Sequence, residues 1–188
     1  MRPKNNSFPF QSTQHGFGLA EQIMVLAVLA ALAAMALPSF HRLLDGHELR
    51  TAQTDYIAAL QHARNLAINE QRQIVFCPSR DGSRCNGDGS WNGGWLIGRN
   101  DLDHAGQPIG PPLYVGGRYS EKIVIAGSAA KKYIAFKTDG SLTSSNQTLS
   151  FCVRGESQRV LKVIIALRGR VRGEVASPND ASPCATSE

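Results

Sequence analysis

From Gln22 to Phe40 this chain of 188 residues carries no charged side chain. The run is mostly Ala, Leu, Val, Ile and Met, and it is long enough to cross the hydrocarbon core of a bilayer as one helix, so the rest of the chain must be organised around an apolar N-terminal helix. Arg2 and Lys4 precede it in a polar leader, which the positive-inside rule keeps in the cytoplasm while the C-terminal part goes outside. Ala34-Met35-Ala36 fits the A-x-A pattern of an ordinary cleaved secretory signal. Two features oppose that reading. Glu21 stands at the head of the run, where a carboxylate is expensive in lipid and therefore points to function, and the leader ends in Gly16 followed by Phe17.

The stretch Gly16-Phe17-Gly18-Leu19-Ala20-Glu21 resembles the prepilin peptidase site of type IV pilins and type II secretion pseudopilins. The resemblance implies cleavage after Gly16, N-methylation of Phe17, and retention of the apolar helix in the mature protein. It also implies that Glu21 aligns subunits, because a carboxylate in lipid needs a cation and a neighbouring subunit's N-terminal amine can supply one. Pro38, at the end of the run, falls where many pilins kink or locally melt the helix. Gly18 and Ala20 depart from the commoner Thr and Ile or Leu but leave the Gly, Phe and Glu intact.

Beyond Pro38, the residues Leu49, Ala52, Tyr56, Leu60, Ala63 and Ala67 recur at spacings of three and four, one face of a continuing helix whose other face carries Arg50, Asp55, Gln61 and Arg64. The helix is expected from about Phe17 to Glu70, with Gly46 a soft point. After it, β-favouring runs at 73–76, 95–97, 122–125, 133–137, 148–153 and 159–167 alternate with Asp-Gly turns at Asp81-Gly82, Asp88-Gly89 and Asp139-Gly140. The fold class that follows is α+β, a long N-terminal helix, transmembrane then amphipathic, packed on an antiparallel β-rich domain. Expected segments are a leader over 1–16, a membrane and assembly helix over 17–40, its amphipathic continuation over 41–70, and a disulfide-bonded periplasmic domain over 71–188.

Cys77, Cys85, Cys152 and Cys184 are even in number and all follow the apolar run, which predicts two disulfides. Of three possible connectivities, Cys77 with Cys85 and Cys152 with Cys184 is favoured, since the first encloses a short Gly-, Asp- and Ser-rich loop and the second tethers a Pro-containing tail. Zinc is disfavoured by the lack of any C-x-x-C and of His near Cys. Asp101-x-Asp103 with Gly106 holds too few acids for a calcium loop. His41, His47, His62 and His104 accompany no recognisable nucleophile. No enzyme activity, cofactor or metal is expected.

Cys77, Cys85, the Trp91-Asn92-Gly93-Gly94-Trp95 motif, Ile134-x-Phe136-x-x-x-Gly140 and Cys152 before a long basic strand together resemble the FimT/GspH-type minor pilins. Formal net charge is +5, and residues 1–70 balance five bases against five acids, so the excess lies later, with six bases and only Glu156 between Arg154 and Arg172. A local basic surplus suits a polyanion. Some FimT-type minor pilins carry a Gly-Arg-x-Arg motif used to bind DNA during natural transformation, matched here at Gly169, Arg170 and Arg172.

On a strand, Arg168, Arg170 and Arg172 would point to one side about 6.6 Å apart and meet successive phosphates bidentately. Such contacts are blind to sequence and weakened by salt. Arg154, Arg159 and Lys162 extend the basic surface, and Lys131 and Lys132 lie in a turn that could widen it. The alternative is a solvated basic hairpin that keeps an edge strand soluble. Trp91 and Trp95 could stack on bases, but the glycines between them favour packing on the sheet.

The function that the sequence points to is a minor type IV pilin binding DNA for uptake. The second reading is a GspH-like minor pseudopilin, and the third a membrane-tethered module outside any filament. Expected partners are the DNA phosphate backbone, other pilins or pseudopilins, prepilin peptidase and the bacterial inner membrane.

Overall fold

The computed structural model of the chain describes residues 18–128 and 132–177, the side chains of 35–39, 41–42 and 156–158 apart. The expected residues Gly16, Phe17, Lys131 and Cys184 lie outside that set. The chain divides into two units, Met1–His41 and Arg42–Glu188. One helix, α1 (Leu19–Glu70), contributes to both.

In the first unit the apolar side chains Leu19, Ile23, Met24, Leu26 and Leu32 are all exposed. Among the described residues no helix is long and apolar enough to cross a membrane. Within the run 22–40 the side chains of 35–39, Pro38 among them, lie outside the described set. α1 is assigned as one helix through Gly46 as well. A Cβ at Gly46 would meet the Arg159 guanidinium at 2.6 Å, so this glycine marks a close approach rather than a soft point.

In the second unit the helical stripe is buried as the spacing predicts, with Leu49, Ala52, Tyr56, Leu60, Ala63 and Ala67 fully out of solvent. The helix stops at Gln71, whose φ of 50° is incompatible with a further turn and whose side-chain amide donates to the Ile68 carbonyl at 2.7 Å. Arg99 then holds Glu70 through two bonds of 2.8 and 3.3 Å, fixing the helix end to the strand that carries Arg99.

Eight strands follow: β1 (Ile74–Pro78), β2 (Trp95–Asn100), β3 (Pro108–Gly116), β4 (Ile123–Gly127), β5 (Ile134–Phe136), β6 (Gln147–Val153), β7 (Glu156–Ile165) and β8 (Val171–Val175). They form two four-stranded antiparallel sheets, ordered β3-β2-β1-β5 and β4-β6-β7-β8. Alternation sends Ile74 and Phe76 of the first sheet, and Leu149, Phe151, Leu161, Val163 and Ile165 of the second, into one core with the α1 stripe.

Two strands, β3 and β8, are additional to the sequence reading. Both are edges with one hydrogen-bonded neighbour, and the prolines and glycines of β3 and the Arg-Gly-Glu of β8 weaken their local signal. Pro108, Pro111 and Pro112 are compatible with β3 because an edge strand leaves one row of N–H positions unpaired.

Tyr56 joins the layers. Its ring is within 5.6 Å of Phe76, 6.2 Å of Trp91, 6.5 Å of Trp95 and 5.1 Å of Phe151, measured between centroids. Its hydroxyl donates to the Trp91 carbonyl at 3.1 Å. Burial, with a smaller contribution from Tyr119, pushes its pKa well above the ordinary tyrosine value, so it remains a neutral donor. Trp91 is buried and stacks on Phe76 at 5.6 Å, and Trp95 packs partly buried against the same core, in keeping with packing rather than base stacking.

Cys77 and Cys85 are disulfide-bonded, with Cα atoms 5.5 Å apart, on the face of the first sheet away from the main core. Within their loop Asp81 accepts from the Ser83 and Arg84 backbone N–H groups and the Ser79 hydroxyl, and these bonds, that from Ser83 foremost, hold its carboxyl well below the usual range. Cys152 is buried and is not a free cysteine. Replacing Cys77 and Cys85 with serine should lower the unfolding free energy by roughly 2–3 kcal/mol, the loop-closure value for so short a loop, read as a lower thermal midpoint with an unchanged far-ultraviolet spectrum.

Candidate nucleic-acid interface

The basic motif lies at the β7–β8 connection, and its geometry differs from a straight strand. β7 ends at Ile165 and β8 begins at Val171, so Arg168, Gly169 and Arg170 form the turn and only Arg172 lies on a strand. The turn is closed by Gly169 N–H donating to Ala166 O at 2.8 Å and Ala166 N–H to Arg170 O at 2.9 Å. Gly169 takes the left-handed position, φ 78°, that such a hairpin loop requires. The expected row of three guanidinium groups at strand spacing is therefore corrected to two on a turn and one on the adjoining edge strand.

Two glycines dock that turn onto the rest of the domain. Gly169 is buried, and a Cβ there would collide with the Gly140 carbonyl oxygen and lie 2.7 Å from Arg64 Nε. Gly140, φ 78°, occupies its own turn after β5, closed by Gly140 N–H donating to Lys137 O at 2.9 Å. Arg64 Nε donates to Gly140 O at 3.1 Å, and Leu142 N–H reaches Leu167 O at 2.8 Å. Backbone meets backbone here because neither turn has a side chain in the way.

The result is a groove of about 370 Å³ between α1 and the hairpin, lined by Gln61, Arg64, Asn65, Arg168, Gly169, Arg170 and Val171. Arg168 and Arg170 are exposed at its rim, and no acid lines it. Among the described residues neither arginine has an ion-pair partner. Arg64, which the spacing places on the helix face other than the apolar stripe, is half-buried and faces the hairpin. Its position at i+3 from Gln61 was visible in the sequence, but nothing local tied it to residue 169.

The other basic residues are placed elsewhere. Val171 packs against the core and Gly173 against Ile57, so Arg172 and Glu174 project from the opposite face of β8, where Arg172 Nε pairs with Glu174 at 2.7 Å. Both side chains are about half-exposed, at 48% and 43%, so the pair contributes little stability while it neutralises one charge of the motif. Lys162 is the cross-strand neighbour of Glu174. Arg159 lies by Gly46, and Arg154 is in the β6–β7 turn at the far end of β7. From Arg159 to Ile165 the strand rises about 20 Å, so these residues do not share the groove. Lys132 lies against Gly89.

A family model described as Type II transport protein GspH matches residues 52–169. Crystal structures of the type IV minor pilin FimU of Pseudomonas aeruginosa, in two crystal forms, superimpose with TM-scores of 0.59 and 0.56 at 22% and 21% identity. They cover 73% and 72% of this chain and 96% and 98% of FimU. At this identity the likeness shows the fold. The minor pseudopilin EpsH from the Type 2 Secretion System of Vibrio cholerae aligns with a TM-score of 0.49 and 14% identity over 71% of this chain and 99% of its own. No curated protein matches the sequence.

Gly169→Ala should cost about 2 kcal/mol or more in a thermal or urea unfolding series, because it adds a left-handed alanine and separates two docked turns. Gly155→Ala, at φ 80° with open space around its Cβ, should cost about 1 kcal/mol.

Proposed function

We propose that this chain, which belongs to the GspH family of type II transport proteins, is a minor type IV pilin of the FimT kind that binds extracellular DNA through its phosphates for uptake in natural transformation. The observation that carries this reading is the hairpin turn, where Arg168 and Arg170 flank a buried glycine at the rim of a groove with no acid in its lining. Arginine forks suit phosphate oxygens, and two of them held on a fixed turn give affinity without reading bases. Arg172, Arg154, Arg159 and Lys162 add to the positive field that draws a polyanion towards that surface.

The N-terminal reading completes the proposal. Prepilin peptidase cuts after Gly16, Phe17 is methylated, and the run from Gln22 to Phe40, bent at Pro38, holds the subunit in the inner membrane with its C-terminal domain in the periplasm until it enters a filament with other pilins. Segments 1–16, 17–40, 41–70 and 71–188 are the leader, the assembly helix, its amphipathic continuation and the disulfide-bonded domain, and Cys152 pairs with Cys184. Glu21→Ala should abolish incorporation into filaments, scored by shearing and immunoblotting, while leaving the chain in the membrane fraction. Unchanged incorporation would favour a tethered module.

The family match itself favours a second reading, a GspH-like minor pseudopilin whose arginines meet acids of a neighbouring subunit rather than DNA. Gel-shift measurements on the full chain in nonionic detergent distinguish the two. Wild type should bind duplex DNA of any sequence at about 50 mM salt and lose most of that affinity by about 200 mM. Arg168→Gln/Arg170→Gln should weaken binding at least about tenfold and lower the salt slope by about two. Absence of wild-type binding at low salt, with the fold intact, leaves the pseudopilin reading.

A further inference from the structure

We infer that the phosphate site of this protein is the concave junction of α1 with the β7–β8 turn, and that Arg64, rather than Arg172, is its third guanidinium. The inference rests on the DNA-binding reading and names the groove as the place where that reading is realised.

Three observations converge on Arg64. Its Nε is committed to Gly140 O at 3.1 Å, which fixes the plane of the guanidinium and leaves four of its five N–H donors for a ligand. It is half-buried against the hairpin, so much of the entropy of ordering a long side chain is already lost before a ligand arrives. It also shares one helical face with Gln61 and Asn65, whose amides can donate to phosphate or sugar oxygens from the same wall.

Arg172 has the contrary attributes. It projects from the opposite face of β8, it is paired with Glu174 at 2.7 Å, and it is absent from the groove lining. An anion reaching it must compete with a carboxylate already in place. In the groove no acid competes, and a phosphodiester entering between helix and turn meets guanidinium groups from both walls. Gly169 makes this possible: its lack of a side chain lets the turn dock on Gly140, which brings Arg168 and Arg170 to the helix.

The test is fluorescence anisotropy of the full chain in nonionic detergent with a labelled duplex of mixed sequence, over about 50 to 200 mM salt. Arg64→Gln should weaken binding about tenfold at the low end and reduce the log–log salt slope by about 0.9. Arg64→Lys, which keeps the charge but not the fork, should recover part of the loss, and Arg172→Gln should weaken binding by no more than about twofold. Because Arg64→Gln also removes the bond to Gly140, the wild-type protein is titrated in parallel by NMR. The Arg64 Nε–H and the Gln61 and Asn65 amide signals should shift with added duplex. Wild-type affinity in Arg64→Gln, a larger loss in Arg172→Gln, or shifts confined to Arg172 and its strand would overturn the groove while leaving DNA binding in place. No binding by wild type at low salt overturns both.

Discussion

The second unit depends on one buried phenol. Tyr56 projects from α1 into the space between two sheets and meets Phe76 of the first and Phe151 of the second edge-on, at 5.6 and 5.1 Å. Edge-to-face contacts favour a large ring in one orientation, and the hydroxyl, which would be costly if left unpaired in this core, is satisfied by the Trp91 carbonyl at 3.1 Å. That bond also fixes the Trp91–Trp95 loop, because Trp91 stacks on Phe76 and Asn92 Oδ1 accepts from Ile125 N–H at 2.7 Å, tying the loop to the second sheet. The helix, both sheets and the loop that bridges them thus share one contact centre. The pitch of the helix relative to that centre then decides which residues lie one and two turns further on, Leu60 and Ala63 inward and Gln61 and Arg64 towards the hairpin.

Along α1 the charges divide by what they face. Three carboxylates of its earlier turns are engaged by the segment that leads into β4. Asp45 pairs with Lys122 at 3.1 Å, Glu48 accepts from the Ser120 hydroxyl and N–H at 2.7 Å, and Asp55 accepts from the Tyr119 hydroxyl at 3.1 Å. Burial first, and then the Asp55 charge, push the Tyr119 pKa up, so that hydroxyl stays a neutral donor. Further along, Arg64 faces a groove without acids. Asp45, Glu48 and Asp55 thus hold the loop before β4, whereas Arg64 is left to face a cavity. A net charge of +5 does not by itself describe this arrangement.

Much of this was legible from the sequence because it depends on period and on local chemistry. The stripe Leu49, Ala52, Tyr56, Leu60, Ala63, Ala67 defines a helix face, and all six are buried because a period near 3.6 leaves a chain no other way to shelter them. Four strands, β1, β5, β6 and β7, were visible as β-branched and aromatic runs, as were β2 and β4 in part. The edge strands β3 and β8 were not. An edge needs only one hydrogen-bonded neighbour, so prolines in β3 and the Arg-Gly-Glu core of β8 are tolerated there and erase the local signal. The Cys77–Cys85 pairing was readable because its loop is short.

The sequence alone determined the helix, its buried face, the β-rich remainder and the concentration of arginines after residue 153, since each follows from neighbours within a few positions along the chain. Tertiary structure decided which of the arginines lie side by side. Gly169 and Gly140 are far apart in sequence, and only their docking brings the turn against α1, adds Arg64 to Arg168 and Arg170, and leaves Arg172 on the other face with Glu174. A motif can specify that a turn is basic. Whether its charges converge on a groove or scatter over a sheet depends on contacts between distant backbones, which no local pattern encodes.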